Sequence, residues 1–324
     1  AFGDNGCLMR SLDKGRTWEQ PNTRTLKRIT SVDFATPSIA VAVGDSGLLI
    51  RSIDSGRTWR QVGSLTQNLF QSIQFVSAFI GFAGGENSTL FKTTDAGSTW
   101  QKIPAPDSCN ILALSMNNPL SGIIAGSRSS IWNTSDGGEH WNRIPIQNMS
   151  GEHYNFRQCL RGPNDKLYVY GFDYQTDSAV LVTSENSGAF VAHYVPTALD
   201  ITLQNDTIFL TSPKFGTLQS HVSTYDYSYV PIGDIHYPPM TQSIMSLCVT
   251  DSTNTVAVGF DKLIYHSSTA RIDWNLRSYC RMTSTEPVTS IFFVDDTTGY
   301  VCGAVRFIYR TKNGGVTWLP QEQN

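Results

Sequence analysis

The feature that most limits how this chain can fold is an eight-residue pattern that returns at a fixed interval. SLDKGRTW at 11–18, SIDSGRTW at 52–59, TTDAGSTW at 93–100 and TSDGGEHW at 134–141 carry Ser/Thr, Asp, Gly and Trp in the same places. Their tryptophans, Trp18, Trp59, Trp100 and Trp141, stand 41 residues apart. A fifth copy, TKNGGVTW at 311–318, has Asn313 where the others have Asp. Three decayed copies fit the gap. Residues 184–191 keep Asn186 and Gly188, residues 267–274 keep Trp274, and residues 223–230 keep only strand-like surroundings. A period of this length means that one supersecondary unit is built repeatedly, each copy burying its apolar face against the next.

Within each period lie four short runs rich in β-branched and aromatic residues, separated by Gly, Asn and Asp. In the last period they are 289–295, 299–304, 306–310 and 316–319. No stretch sustains a 3.6-residue apolar period, so almost no helix is expected. Four strands recurring every ~40–45 residues describe the blade of a β-propeller. The fold class is therefore all-β, a single propeller domain over residues 1–324 made of four-stranded antiparallel blades. The repeat count favours eight blades, with seven the alternative. Ala1 falls inside the first copy, which then lacks its opening strand and implies sequence upstream.

The pattern sits between the third and fourth runs, where a hairpin turn belongs. Gly15, Gly56, Gly97, Gly138 and Gly315 suit a backbone with positive φ. The Asp side chain and the opening hydroxyl accept or exchange hydrogen bonds with nearby turn amides. The Trp opens the fourth strand and offers a large surface to bury. A calcium site would need several oxygen ligands from one loop, and each turn carries at most two acids. Asp13, Asp54, Asp95 and Asp136 are accordingly read as turn residues.

Composition excludes several classes. A net charge of −3 gives no pull toward nucleic acid or anionic lipid. No run approaches the ~20 apolar residues of a spanning helix. The six cysteines are scattered without a C-x-x-C pair, which argues against zinc, and their pairing is open. Cys159, Cys248 and Cys302 lie in strand-like runs and read as small buried hydrophobes. No cofactor and no metal are expected. The glycine-bearing stretch 43–47 recurs at 2–6 and precedes strands, so it reads as an inter-strand turn.

With these residues in view, the chain resembles the Asp-box (BNR) propellers. The even spacing and the form T-x-D-x-G-x-T-W are most similar to the photosystem II assembly/stability factor family. The resemblance is strong over residues 1–145 and 280–320 and weak over 185–275. It implies a seven-bladed propeller outside the cytoplasm, in a periplasm, a lumen or at the cell surface, acting as a non-enzymatic, protein-binding assembly factor for a membrane protein complex. The same box occurs in sialidases, xyloglucan hydrolases and sortilin-type receptors. The alternative is therefore a glycan-binding or sialidase-like glycoside hydrolase propeller. Sialidases carry an R-I-P motif ahead of the first box. Here Arg143-Ile144-Pro145 follows the fourth, at a repeat position on an outer strand. Other acids, among them Asp165, Asp173, Asp295 and Asp296, stand in turn-like contexts.

Partner contacts are expected on unusual loops held by a rigid scaffold. Tyrosine and other amphipathic side chains favour interfaces. The candidates are Tyr154 in the 145–155 loop, Phe172 and Tyr174 in the 171–178 loop, and His236, Tyr237 and Met240 in the tyrosine-rich 225–240 stretch. A second candidate is the basic skew of the first copies, including Arg10, Arg16, Arg51 and Arg57, with ordinary solvated charge the favoured reading.

Overall fold

The computed structural model describes residues 1–106, 109–149, 151, 153–162, 165–173, 175–176, 178–184, 188–195, 200–204, 207–211, 218–222, 230–231, 244–249, 255–259, 263–267, 274–279, 288–303 and 308–321. Among them a three-residue 3-10 turn, Asp45–Gly47, lies inside the stretch expected to be a turn. No described helix is long and apolar enough to cross a membrane. The described strands pair antiparallel apart from Ile146–Gln147, and the chain divides into two compact units.

The first unit, residues 1–10, 19–161 and 166–195, holds sheets at 29–61, 70–102, 111–143 and 155–195. In each, these strands pair in chain order. The second unit, residues 11–18, 162–165 and 196–324, holds sheets at 200–231, 244–279 and 288–320 built the same way. Ahead of the first full sheet, Phe2 bridges Leu8 and Arg10 bridges Glu19. Ile146–Gln147 adds a fifth strand to the 155–195 sheet, parallel to Phe190–Val195. Part of the 145–155 segment is thus sheet edge rather than loop.

The second strand of each sheet explains the apolar runs. Ala40–Gly44, Gly81–Gly85 and Gly122–Gly126 are buried at every residue. Such a strand is covered on both faces, so its sequence does not alternate. The two faces serve different neighbours, because successive side chains point opposite ways. Ala40 and Ala42 pack with Leu8, Ile29, Ile50 and Trp59. Val41 and Val43 pack forward on Phe70, Ile73, Phe91 and Trp100 of the next sheet. The same relation repeats one sheet on, where Phe82 and Leu90 meet Ile111 and Ile124.

Opening strands carry a recurrent register shift, between Ile29 and Ser31, Phe70 and Ser72, and Val288 and Ser290. The extra residue turns the preceding carbonyl toward the second strand. A Cβ at Gly44, Gly85 or Gly126 would collide with the carbonyl oxygens of Arg28, Leu69 and Asn110, which explains glycine at that step of the repeat. Polar side chains then tie one opening strand to the next. Asp33 accepts the Phe75 amide at 2.6 Å, and Gln74 accepts from the Met116 amide at 2.7 Å while donating to the Met116 carbonyl at 3.2 Å.

Cys7, Cys109 and Cys159 are free thiols. Cys109 is buried, and Cys159 packs against the core of the 155–195 sheet. Burial pushes both thiols up, Cys159 to about 11, consistent with a packing role. Cys280 lies outside the described residues.

Candidate functional site

The repeated acids are committed to their own turns. In the 52–59 box, Ser52 Oγ donates to Asp54 Oδ1 at 2.7 Å and accepts the Gly56 amide at 2.8 Å. Asp54 also accepts the Thr58 amide at 2.8 Å and the Thr58 hydroxyl at 2.7 Å. The 11–18 and 93–100 boxes repeat this arrangement. At 134–141, His140 Nδ1 stands 2.7 Å from Asp136 Oδ2, replacing the Thr hydroxyl. At 311–318 the Asn313 amide donates to Thr317 Oγ1 at 2.9 Å, so the same ring closes with one bond reversed. The backbone amide of Thr58, followed by its hydroxyl, holds Asp54 far below the ordinary carboxylate range. Bonds led by the amides of Thr17 and His140 do the same for Asp13 and Asp136. A carboxylate this saturated is a poor general base and a poor open ligand. Among the described residues, no group of three or more His, Cys, Asp and Glu is placed to hold a metal.

Each box is tied back to the turn between the first two strands of its own sheet. Ser55 N donates to Ser38 O at 2.8 Å, Ala96 N to Phe79 O at 2.9 Å and Gly137 N to Leu120 O at 2.8 Å. Both turns therefore lie at one end of the sheet, and in the first unit that end is apolar. Phe34 is 51% exposed, Ile53 65%, Phe79 64% and Leu120 58%. Large hydrophobes exposed at equivalent ends of three successive sheets form a candidate contact surface. The second unit has the same bond, Gly314 N to Thr297 O at 2.9 Å, with Val294 and Leu12 exposed.

A second repeated device involves the residue just before three of the boxes. Arg10 Nη1 donates to the carbonyls of Asp54 at 3.2 Å and Ser55 at 3.0 Å. Arg51 Nε reaches the Ala96 carbonyl at 2.8 Å, and Lys92 Nζ reaches that of Gly137 at 2.9 Å. Each cation thus grips the box of the following sheet. Arg10 is buried, with its Nε 2.7 Å from Glu19. Arg10 and Arg51 are structural ties and not the solvated charges expected of them. The signal was in the sequence, since a cation recurs at 10, 51, 92 and 310.

The candidates named from the sequence separate. Tyr154 is buried in the core of the 155–195 sheet, with its hydroxyl 3.2 Å from Ser178 Oγ and its ring against Tyr194. It is a core residue in the first unit and offers no exposed anchor. Phe172 is half-buried in the strand Leu167–Asp173, opposite Asn155 and Ala179. Tyr174, His236, Tyr237 and Met240 lie outside the described residues. Arg143 is exposed on the outermost strand of the 111–143 sheet, the position expected of a repeat residue. Asp173 and Asp295 accept donors within their own turns, from Gln175 and Thr176 and from Thr297 and Thr298. The box-end hydrophobes went unnoticed because each sits alone among turn residues in the sequence.

This geometry has known counterparts. The family model for "Photosynthesis system II assembly factor YCF48" matches residues 53–179. The chain has the BNR-repeat β-propeller fold. It superposes on a structure titled "YCF48 bound to D1 peptide" with a TM-score of 0.64 at 17% identity, covering 96% of this chain and 99% of that one. YCF48 from Cyanidioschyzon merolae gives 0.63 at 16% identity, covering 94% and 98%. A GH74 xyloglucanase from Xanthomonas campestris gives 0.52 at 11% identity, covering 98% of this chain and 68% of the enzyme. No curated protein matches the chain in sequence.

Proposed function

We propose that this chain is a non-enzymatic, extracytoplasmic scaffold that binds a protein partner, of the kind that assists assembly of a membrane protein complex. The observation that carries the reading is the match of residues 53–179 to the YCF48 assembly-factor family. A likeness in fold to a YCF48 structure titled as bound to a D1 peptide supports the class of partner. The state of the boxes supports the absence of catalysis by the repeated acids, since Asp13, Asp54, Asp95 and Asp136 each spend their oxygens inside their own turn. The contact surface is the box end of the first unit, with Phe34, Ile53, Phe79 and Leu120. Phe172, Tyr174, His236, Tyr237 and Met240 are proposed as further contacts. The repeat count favours one propeller of eight blades over residues 1–324, with seven the alternative; the seven sheets among the described residues and the bridges Phe2–Leu8 and Arg10–Glu19 support this reading.

Photo-crosslinking residues placed at Phe79 and Leu120 in native cell envelopes test this reading. Expected are cross-links to one membrane-complex subunit, lost in Phe79→Glu and Leu120→Glu variants whose melting is unchanged. Retention on polysaccharide fractions without a protein cross-link would overturn it in favour of a glycan-binding propeller.

A further inference from the structure

Among the cations that stand directly before a box, Arg310 departs from the forward grip. Arg310 precedes the 311–318 box as Arg10, Arg51 and Lys92 precede theirs. Within the second unit the box it faces is 11–18, and the carbonyl equivalent to those of Ser55, Ala96 and Gly137 belongs to Lys14. That carbonyl is already taken. The hydroxyl of Tyr300 donates to Lys14 O, and Tyr300 stands where the other sheets have Val41, Phe82 and Ile123. Its ring fills the box closely. A Cβ at Gly15 would run into it, and Trp18 meets it edge-on with centroids 6.0 Å apart. The intrusion also shows in the indole. Trp59, Trp100 and Trp318 each donate to the carbonyl of their box glycine, whereas the Trp18 Nε1 is buried without a partner among the described residues.

Displaced from its carbonyl, Arg310 lies over the Tyr300 ring at 5.8 Å. It is 8% exposed, and its Nε has no hydrogen-bond partner among the described residues. It lines a pocket of about 310 Å³ together with Arg16 and Lys312, and no carboxylate is among the lining side chains. Buried donors in native structures find an acceptor in protein, solvent or ligand. Three cations converging on one hollow with an unanswered guanidinium donor define what would satisfy it. Burial holds the Tyr300 phenol above its ordinary value, so it remains a donor to Lys14 at neutral pH.

We propose that this pocket is an oxyanion site that receives a single carboxylate or phosphate group, with Arg310 as the buried donor and Arg16 and Lys312 supplying charge at the mouth. The volume lies at the lower end of the ~300–1,000 Å³ of small-molecule sites, which suits one anionic group rather than an extended cofactor. Planar guanidinium donors suit both carboxylate and phosphate oxygens. The group arrives either on a free small anion or on an acidic peptide.

The test is calorimetric titration of the full chain with inorganic phosphate, with malonate and with a short acidic peptide, each against chloride at equal ionic strength. Binding by phosphate or malonate alone supports the site with a free anion as its source, and binding by the peptide alone supports it with a protein carboxylate. Binding by none overturns it. The decisive variant is Tyr300→Phe, which removes no charge. It vacates the Lys14 carbonyl, Arg310 takes it as Arg51 takes that of Ala96, and affinity falls at least tenfold. Arg16→Gln, at an exposed position, weakens binding several-fold with unchanged melting, which keeps the test valid should Arg310→Met fail to fold. Lys92→Met, a forward-gripping cation outside the pocket, binds as the unsubstituted protein does. Undiminished affinity in Tyr300→Phe or in Arg16→Gln would overturn the proposal.

Discussion

Replacing Trp59 with Ala should be the most damaging change in any box, although the sequence makes four tryptophans look equivalent. Trp59 is 2% exposed and packs with Leu8, Ile29, Ala40, Ala42, Leu48 and Ile50. An aromatic of this kind buries about 150–250 Å², which at ~25 cal/mol per Å² is about 4–6 kcal/mol as an upper bound. Large-to-small core substitutions of Trp cost about 3–5 kcal/mol. Its indole N–H, 3.1 Å from the Gly56 carbonyl, contributes about 1 kcal/mol within that range. A loss of about 4 kcal/mol lowers melting by roughly 8–16 °C for a unit of this size. Trp141 is only half-buried and donates to Pro104 O, so Trp141→Ala should cost less than about 2 kcal/mol. Calorimetry of both variants gives the comparison. Hydrogen exchange adds a local readout, because Leu8 and Ile29 share the Trp59 cluster and their amides should lose protection first. Equal losses in the two variants, or a larger one in Trp141→Ala, would refute the argument from burial.

Acid is expected to act on the boxes. Asp13, Asp54 and Asp136 have folded values depressed below the unfolded one, and Asp295 is lowered to about 2. Their stabilisation is full above the unfolded value and is lost as pH falls through the folded ones. Urea midpoints should therefore hold from pH 7 to about 5 and fall below about 4, with a shallower fall in Asp54→Asn, a change that Asn313 makes natively. Gly97→Ala should destabilise by at least ~1–2 kcal/mol, because Gly97 has φ +80° and a Cβ would lie 2.6 Å from Val41 Cγ2. Chemical denaturation against Ser98→Ala as control measures it. Iodoacetamide at pH 8 should alkylate Cys7 in the folded protein well before Cys109 and Cys159, whose thiols burial keeps protonated. Peptide mapping reads the order.

What the sequence made legible follows from what repeats. The 41-residue interval of Trp18, Trp59, Trp100 and Trp141 located the third-to-fourth strand turns of the 29–61, 70–102 and 111–143 sheets, and the decayed copies at 184–191 and 267–274 also fall between the paired strands Ser178–Ser184 and Phe190–Val195 and between Leu263–Ser267 and Trp274–Tyr279. Turn chemistry is local, so eight residues suffice to specify it. Burial is not local. Tyr154 looks like a loop tyrosine in sequence and becomes core by joining the cluster that holds Val169, Val180 and Ile131. The exposure of Phe79 and Leu120 is decided by which turns share a sheet end, a fact of pairing rather than composition. Arg10 and Arg51 were read as surface charge because their acceptors are backbone carbonyls 44 and 45 residues away, and no side-chain complement marks them.

The ties made by Arg10, Arg51 and Lys92 all run the same way along the chain, from one repeat to the carbonyls of the following box. Each of these three repeats therefore carries a plug at the end of its third strand and a socket in the turn that follows. A duplicated repeat arrives with both halves of its own joint, and a deleted one leaves a plug and a socket that still match. The backbone carbonyl is the same whatever residue supplies it, so the sockets at Ser55, Ala96 and Gly137 accept Arg or Lys alike. Copy number in such a chain is free to change by recombination without new coupling residues having to evolve, while a joint where a Tyr fills the socket, as at Lys14, is open to acquire a different use.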